Sequence, residues 1–262
     1  MDLHVEVAGS GAPLVLLHGF ALHGGVFAPL VERLARDRRL IVVDLPGHGH
    51  SAQVPVSTLE DTAAAVAATL RSVHDAGGAC DGADVLGWSF GGQVALALAA
   101  ARPASVRRLV LACTTPSFVA RPGFDSAMDE AMLRRFGDEL RVAYRLTLQR
   151  FLTLQVQGSA AAHATLAALR TRLFARGEPS PGALAATLAL LVGTDLRAAV
   201  PLVGVPALVL AGPRDTLVPL AASEWLAAHL PDARLQLIDG AAHAPFLSHP
   251  DAFAAAVERF LS

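Results

Sequence analysis

The sequence predicts an α/β protein: a mostly parallel central sheet with helices on both faces, interrupted by one helical insertion. Three observations predict this. Short apolar runs alternate with helix-period segments from Leu3 to Cys113 and again from Pro206, the pattern of βαβ units. Between these regions, from about Pro122 to Val192, there is helical periodicity and no convincing strand, so a block of helices is expected between two strands of one sheet. Finally, 262 residues with 53% hydrophobic and 17% charged side chains suit one large packed domain, too apolar for a disordered or coiled-coil chain. A chain of this length buries roughly three quarters of its unfolded surface. The expected organisation is a single domain, 1–262, with a helical lid insertion at about 122–192.

The elements follow in order. Leu3 to Val7 and Leu14 to Leu17 read as strands around a Gly9-Ser10-Gly11 turn. Phe27 to Ala35 has helical spacing, and Leu40 to Asp44 is a short apolar run of the kind a strand covered on both faces requires. Ser57-Thr58-Leu59-Glu60 has capping-box spacing and opens a helix to about Asp75. Asp84 to Trp88 is a strand, Gly91 to Ala101 a helix, and Val106 to Cys113 a strand. Gly137, Gly158, Gly177 and Pro181 are expected to break the helical pattern of the insertion. A strand at Pro206 to Ala211, a helix at Leu220 to Leu230, a strand at Arg234 to Ile238 and a last helix from Pro250 complete the chain.

Composition excludes several functions. Net charge is −2 and all 21 basic residues are arginine, which disfavours a general nucleic-acid binder. Cys80 and Cys113 are too few for a disulfide framework and lack metal-ligand spacing, so they are expected to be buried thiols in a reducing compartment. Met1 to Leu17 carries Asp2 and Glu6 and no basic segment, unlike a secretory signal. No run reaches the roughly eighteen apolar residues of a membrane span. A cytoplasmic protein without membrane, nucleic-acid, metal or cofactor partners is expected, acting as a monomer.

Gly87-Trp88-Ser89-Phe90-Gly91 places G-x-S-x-G between a strand and a helix. A serine on such a sharp turn leaves no room for side chains two positions either side, so glycine occupies both. At this composition roughly 0.1 matches are expected by chance, before the strand-turn-helix context is imposed. A serine hydroxyl needs an adjacent base, itself oriented by a carboxylate. In this arrangement the chain order is serine, acid, histidine. Of the histidines after Ser89, His163 lies in the insertion, His229 near a helix end and His249 before the Pro250 helix. His243, in Ala241-Ala242-His243-Ala244-Pro245 after the last strand, is the candidate base. Asp215 follows the Ala207 to Ala211 strand through Gly212-Pro213-Arg214, at the strand end where α/β sheets keep their ligands. Asp239 is too near His243 in sequence, Asp195 is expected to cap Leu196 to Val200, and Asp44 to shape the Leu45 to Gly49 turn. His18-Gly19-Phe20 closes the Leu14 to Leu17 strand. Its Phe20 N–H, with that of Phe90, would form an oxyanion hole, and His18 is expected to bond the loop.

These features together resemble the α/β-hydrolase family over the whole chain. His18-Gly19-Phe20, Asp44 to Gly47, Leu86 to Gly92, Phe151-Leu152-Thr153-Leu154-Gln155, Thr194 to Arg197 and Ala241 to Phe246 are similar to its branch of methyl ester esterases that act on pimeloyl-acyl carrier protein in biotin synthesis. The resemblance implies a seven-carbon acyl chain on acyl carrier protein as substrate, with its methyl ester hydrolysed to free acid and methanol. It also implies an acyl pocket lined by Phe20, Ser89, Phe90, Phe151, Leu152, Thr153, Leu154, Gln155 and His243. Phe20 stands where those enzymes typically carry tryptophan. The rival expectations are a general carboxylesterase or enol-lactonase of the same fold, and a binding protein without turnover.

The insertion adds a charge signature. Leu140 to Gly177 holds Arg141, Arg145, Arg150, Arg170, Arg172 and Arg176 and no acid. A one-signed lid favours an anionic partner over the mixed charges of an ordinary solvated face. Arg141, Arg145, Arg150, Arg170 and Arg172 are therefore the candidate docking residues for an acidic carrier.

Overall fold

A computed structural model describes residues 2–75 and 82–262; Cys80 lies outside the described residues. Seven strands form one sheet: β1 (Val5–Ala8), β2 (Ala12–Leu17), β3 (Arg38–Val43), β4 (Ala83–Trp88), β5 (Val106–Ala112), β6 (Ala207–Ala211) and β7 (Ala233–Leu237). Their order is β1-β3-β2-β4-β5-β6-β7, with β1 antiparallel to β3 and every other pair parallel. The central strands are continuously apolar because helices cover both faces: Leu14, Val15, Leu16 and Leu17 of β2 are wholly buried. At the two edges, β1 and β7 place the charged Glu6 and Arg234 toward solvent, which discourages pairing with another sheet.

The helices of the sheet layer are α1 (Ala28–Leu34), α2 (Leu59–Asp75) and α3 (Phe90–Ala101), and later α7 (Leu220–His229), α8 (Pro245–Ser248) and α9 (Pro250–Leu261). Between β5 and β6 lie α4 (Glu130–Val156), α5 (Ala162–Leu173) and α6 (Pro181–Gly193). Alanine and glycine dominate α3 because it is buried nearly all round, and a Cβ on Gly92 would stand 2.5 Å from the Thr114 side chain. On the opposite face Trp88, Phe27, Phe246 and Phe253 form one aromatic cluster, with Phe246 4.9 Å from Trp88 and 5.1 Å from Phe27 between ring centres. Burying each such ring contributes about 1.5–3 kcal/mol. Among the described residues no helix is long and apolar enough to cross a membrane.

Several elements differ from expectation. The cap of α2 is one residue later than Ser57: Thr58 Oγ1 accepts the Asp61 N–H at 3.0 Å, and Ser57 Oγ donates to the Asp61 carboxylate at 2.6 Å. Gly137 does not interrupt α4. Its bare Cα makes room for α6, since a Cβ there would stand 2.9 Å from Leu188 Cδ2. The break falls instead at Ala143, whose φ of −144° and ψ of 56° kink the helix into two arms. Gly158 and Gly177, both at positive φ, lie in the connections that follow α4 and α5, and Pro181 opens α6 behind a Ser180 cap. The short helix α8 has no periodic signal in four residues.

Candidate active site

The site is built at the carboxyl ends of β2, β4, β5, β6 and β7. Ser89 sits between β4 and α3 with φ 57° and ψ −120°, a conformation that stores strain and lifts the hydroxyl clear of the sheet. Glycine is obligatory on both sides: a Cβ on Gly87 would lie 2.3 Å from the Gly91 carbonyl, and one on Gly91 2.2 Å from the Leu17 carbonyl. Ser89 Oγ lies 2.9 Å from His243 Nε2, and His243 Nδ1 lies 2.7 Å from Asp215 Oδ2. With Nδ1–H donating to the carboxylate, Nε2 is free to accept the serine proton. All three residues are buried.

Each partner is held in turn. Asp215 Oδ1 accepts the N–H groups of Leu217 (2.8 Å) and Val218 (2.9 Å), so the carboxylate cannot swing. Trp88 Nε1–H donates to the His243 carbonyl at 2.7 Å, and the His243 N–H donates to the Gln155 carbonyl at 3.0 Å. The last turn of α4 is thereby tied to the histidine loop. Of the other candidates, Asp195 accepts the Arg197 N–H and pairs with its guanidinium, and Asp239 is exposed. Asp44 accepts the N–H groups of Gly24 and His50, shaping its turn. His229 stacks on Trp225, and His249 Nδ1 meets Ser248 Oγ.

The Phe20 loop lies against the elbow. A Cβ on Gly19 would stand 3.1 Å from Ser89 Cβ and 3.2 Å from the Trp88 ring, so glycine allows the approach. Phe90 is the first residue of α3 and its N–H has no intrahelical acceptor. Among the described residues no acceptor faces the Phe20 N–H either. The two segments that carry these N–H groups meet at Ser89.

His18 fastens the loop. Its Nε2 accepts the Leu45 N–H at 2.9 Å, so the proton is on Nδ1, which donates to the Gly19 carbonyl at 2.8 Å. Burial, reinforced by His48, lowers its pKa to about 3, and burial lowers those of His23 and His48 as well. A histidine kept neutral in the fold but titrating near 6.5 when unfolded favours the unfolded chain as pH falls through that value. Stability should therefore be full above about pH 6.5 and decline below it, by up to about 1.4 kcal/mol per pH unit for His18 alone. Denaturant melts at stepped pH check this. A His18→Gln variant should show a shallower slope, and an unchanged slope would assign the effect elsewhere.

An apolar pocket opens above Ser89 and His243. Phe20, Phe151 and Leu154 line it. Leu152 and Thr153 do not: Leu152 is packed into the core and exposed Thr153 Oγ1 bonds the Gln149 carbonyl, because five successive helical residues cannot face one way. The buried Phe90 side chain and that of Gln155 are also absent from the lining. The remaining wall comes from residues not singled out in the sequence, chiefly Met132, Leu133 and Phe136 of α4, Leu188 of α6, Phe118 and Leu217. The 132, 133, 136 spacing was a visible signal, but it equally describes a helix packed on a core.

The arginines are less one-sided than their sequence window. Arg141 pairs with Asp138 and Arg145 with Glu178, while Arg150 stands 3.8 Å from Glu139. These acids lie just outside Leu140 to Gly177, and the helix turn and the α5–α6 connection bring them back. Arg176 points inward, 3.0 Å from Asp44 Oδ1 and also paired with Glu6. Arg172 Nη1 donates to its own helix at the Ala168 carbonyl. Among the described residues exposed Arg170 has no carboxylate partner.

Among the described residues the only grouping of metal-ligand type is Cys113, Asp215 and His243. The acid and base in it are already hydrogen-bonded to each other, and burial, with the Asp215 carboxylate, holds the thiol protonated.

Residues 12–250 match the family described as the alpha/beta hydrolase fold. The chain is 46% identical over 262 residues to a pimeloyl-[acyl-carrier protein] methyl ester esterase of Xanthomonas campestris pv. campestris, covering 99% of both chains. It is 41% identical over 252 residues to an esterase of the same name from Nitrosomonas europaea, covering 96% of each. Among solved structures, an esterase from Exiguobacterium antarcticum superposes with a TM-score of 0.89 at 22% identity, over 99% of this chain and 96% of that one.

Proposed function

The chain belongs to the α/β-hydrolase family, and from that premise we propose that it hydrolyses the methyl ester of pimeloyl-[acyl-carrier protein], releasing methanol in biotin synthesis. The observation that carries the reading is the Ser89–His243–Asp215 relay opening into a pocket walled by aromatic and aliphatic side chains. Such a wall suits a methylene chain, and the full-length likeness to enzymes of that name supplies the ester and the carrier.

In the proposed mechanism His243 Nε2 takes the Ser89 proton as Oγ attacks the ester carbonyl carbon. Asp215 keeps the imidazole in the required tautomer and stabilises its positive charge. The oxyanion accepts hydrogen bonds from the Phe20 and Phe90 N–H groups. Its collapse expels methoxide, which leaves as methanol with the proton from His243, and the acyl group stays on Ser89. Water, deprotonated by His243, then repeats the sequence and frees the acid. The reading places the enzyme in the cytoplasm as a monomer, with no metal or cofactor in the reaction. The helices between β5 and β6 serve as a lid that bears the carrier.

Carrier docking is proposed for Arg141, Arg145, Arg150, Arg170 and Arg172; the ion pairs of the first three are exposed and worth only about 0.2–1 kcal/mol each, so an acidic partner can compete for them. Reversing Arg141, Arg145 and Arg150 together to glutamate should raise KM for the carrier ester and flatten its salt dependence, leaving a p-nitrophenyl ester near wild type. Equal loss on both substrates would mean that the arginines hold the insertion together. No change on either would place docking elsewhere and favour a small-ester hydrolase. A serine-reactive fluorophosphonate separates both enzyme readings from a binding protein, which would not be labelled at Ser89.

A further inference from the structure

Cys113 is a buried ionisable group at the site that the relay does not use. It is the first residue past β5, and its φ of 45° lies in the left-handed region that, among the described non-glycine residues, only Ala21 and Ser89 share. Its N–H still donates to the Leu210 carbonyl at 2.8 Å, so pairing with β6 carries through while the chain bends. Strain of this kind persists only where the surroundings enforce it. The bend leaves Sγ between the two loops that carry the acid and the base. It lies 3.7 Å from the carbonyl of Ala242, the residue before His243, and within 4.8 Å of both an Asp215 carboxylate oxygen and a His243 ring nitrogen.

The thiol is wholly buried, and burial, reinforced by the neighbouring carboxylate, keeps it protonated. A dry S–H is a donor, and the acceptors in reach are the Ala242 carbonyl and the Asp215 carboxylate, which has lone pairs beyond those given to Leu217, Val218 and His243. We propose that Cys113 is a positioning residue: its S–H, shared between the Ala242 carbonyl and the Asp215 carboxylate, fixes the spacing of the two loops and damps the negative charge that Asp215 presents to His243. Among the described residues, the ionisable groups facing the pair are Ser89 from the elbow and Cys113 from the end of β5. Arg214 turns away to the Gly158 carbonyl, and Asp239 is exposed. The proposal rests on reading Ser89, Asp215 and His243 as the catalytic relay.

The test is the pH profile of p-nitrophenyl butyrate hydrolysis by the full chain and its variants. Cys113→Ala should lower kcat roughly two- to tenfold with KM unchanged. The acid limb of its kcat/KM profile should move to higher pH, because an undamped carboxylate holds the imidazolium more strongly and the base acts only when Nε2 is unprotonated. Cys113→Ser, a stronger donor, should keep kcat near wild type and move the limb to lower pH. A wild-type kcat and limb in Cys113→Ala overturns the proposal, as does a Cys113→Ser variant that falls as far as Cys113→Ala, for then the sulfur only fills space. Should Cys113→Ala fail to fold, the limb of Cys113→Ser decides: unmoved, it overturns the proposal. Ser89→Ala assayed alongside keeps the premises apart. Activity retained there overturns the relay itself, whereas a dead Ser89→Ala with unmoved Cys113 variants overturns only the role of the thiol.

Discussion

Replacing Ser89 with alanine is expected to lower kcat for ester hydrolysis by about 10³-fold or more while leaving the fold intact. The change removes one oxygen, whose contact is the 2.9 Å hydrogen bond to His243 Nε2. The backbone at φ 57° is strained for alanine and serine alike, and the glycine contacts that enforce it are untouched. Tm should therefore stay close to wild type, and the proposed oxyanion hole of the Phe20 and Phe90 N–H groups would account for residual activity. Steady-state kinetics with a p-nitrophenyl ester, beside a thermal melt, measures both quantities. Activity within tenfold of wild type would sink the nucleophile assignment. A large fall in Tm would mean that the hydroxyl is needed for folding.

Asp215→Asn should be damaging on a comparable scale, with kcat down on the order of 10⁴-fold. Asparagine can keep the hydrogen bonds from Leu217 and Val218 at one oxygen, so the loop should survive. Its amide nitrogen, however, would face His243 Nδ1 as a donor, which turns the imidazole to the wrong tautomer and takes the accepting lone pair away from Ser89. Asp195→Asn and Asp239→Asn are the controls. Asp195 only pairs with Arg197 and caps its own turn, and Asp239 is exposed, so both should stay within a few-fold of wild type. If Asp195→Asn proved the most harmful of the three, the acid would be misassigned.

The legibility of the site followed the severity of its constraints. Gly87 and Gly91 announce Ser89 because no other residue fits against the Gly91 and Leu17 carbonyls. Asp215 and His243 are legible because each follows a strand at the sheet end where Ser89 lies, and the structure brings the three side chains within hydrogen-bond distance. Weaker constraints left ambiguity. Ser57 with Glu60 and Thr58 with Asp61 both have capping spacing, and only the observed bond between Thr58 Oγ1 and the Asp61 N–H selects the second. Gly137 reads as a break because a helical glycine costs about 1 kcal/mol, yet its bare Cα is what lets Leu188 approach α4. The kink at Ala143, in a residue that favours helix, left no mark in the sequence. The pocket wall was hard to read for a different reason. Met132, Phe136 and Leu188 are apolar residues at helical spacing, and only the third dimension decides whether such a stripe faces a core or a substrate. The pairing of Arg145 with Glu178 likewise ties α4 to the α5–α6 connection, whose path periodicity cannot supply.

The most direct test of the proposed activity is the ratio of kcat/KM for pimeloyl-[acyl-carrier protein] methyl ester to that for p-nitrophenyl butyrate, with methanol and the carrier-bound free acid followed as products. The account predicts that the carrier ester is preferred by at least tenfold, about 1.4 kcal/mol of transition-state stabilisation drawn from the chain pocket and the carrier surface. It also predicts that methanol and free acid appear in equal amounts, and that both vanish with Ser89→Ala. A preference for the butyrate ester, or a carrier ester left intact by enzyme that labels fully at Ser89, would contradict it and leave a small-ester hydrolase in its place.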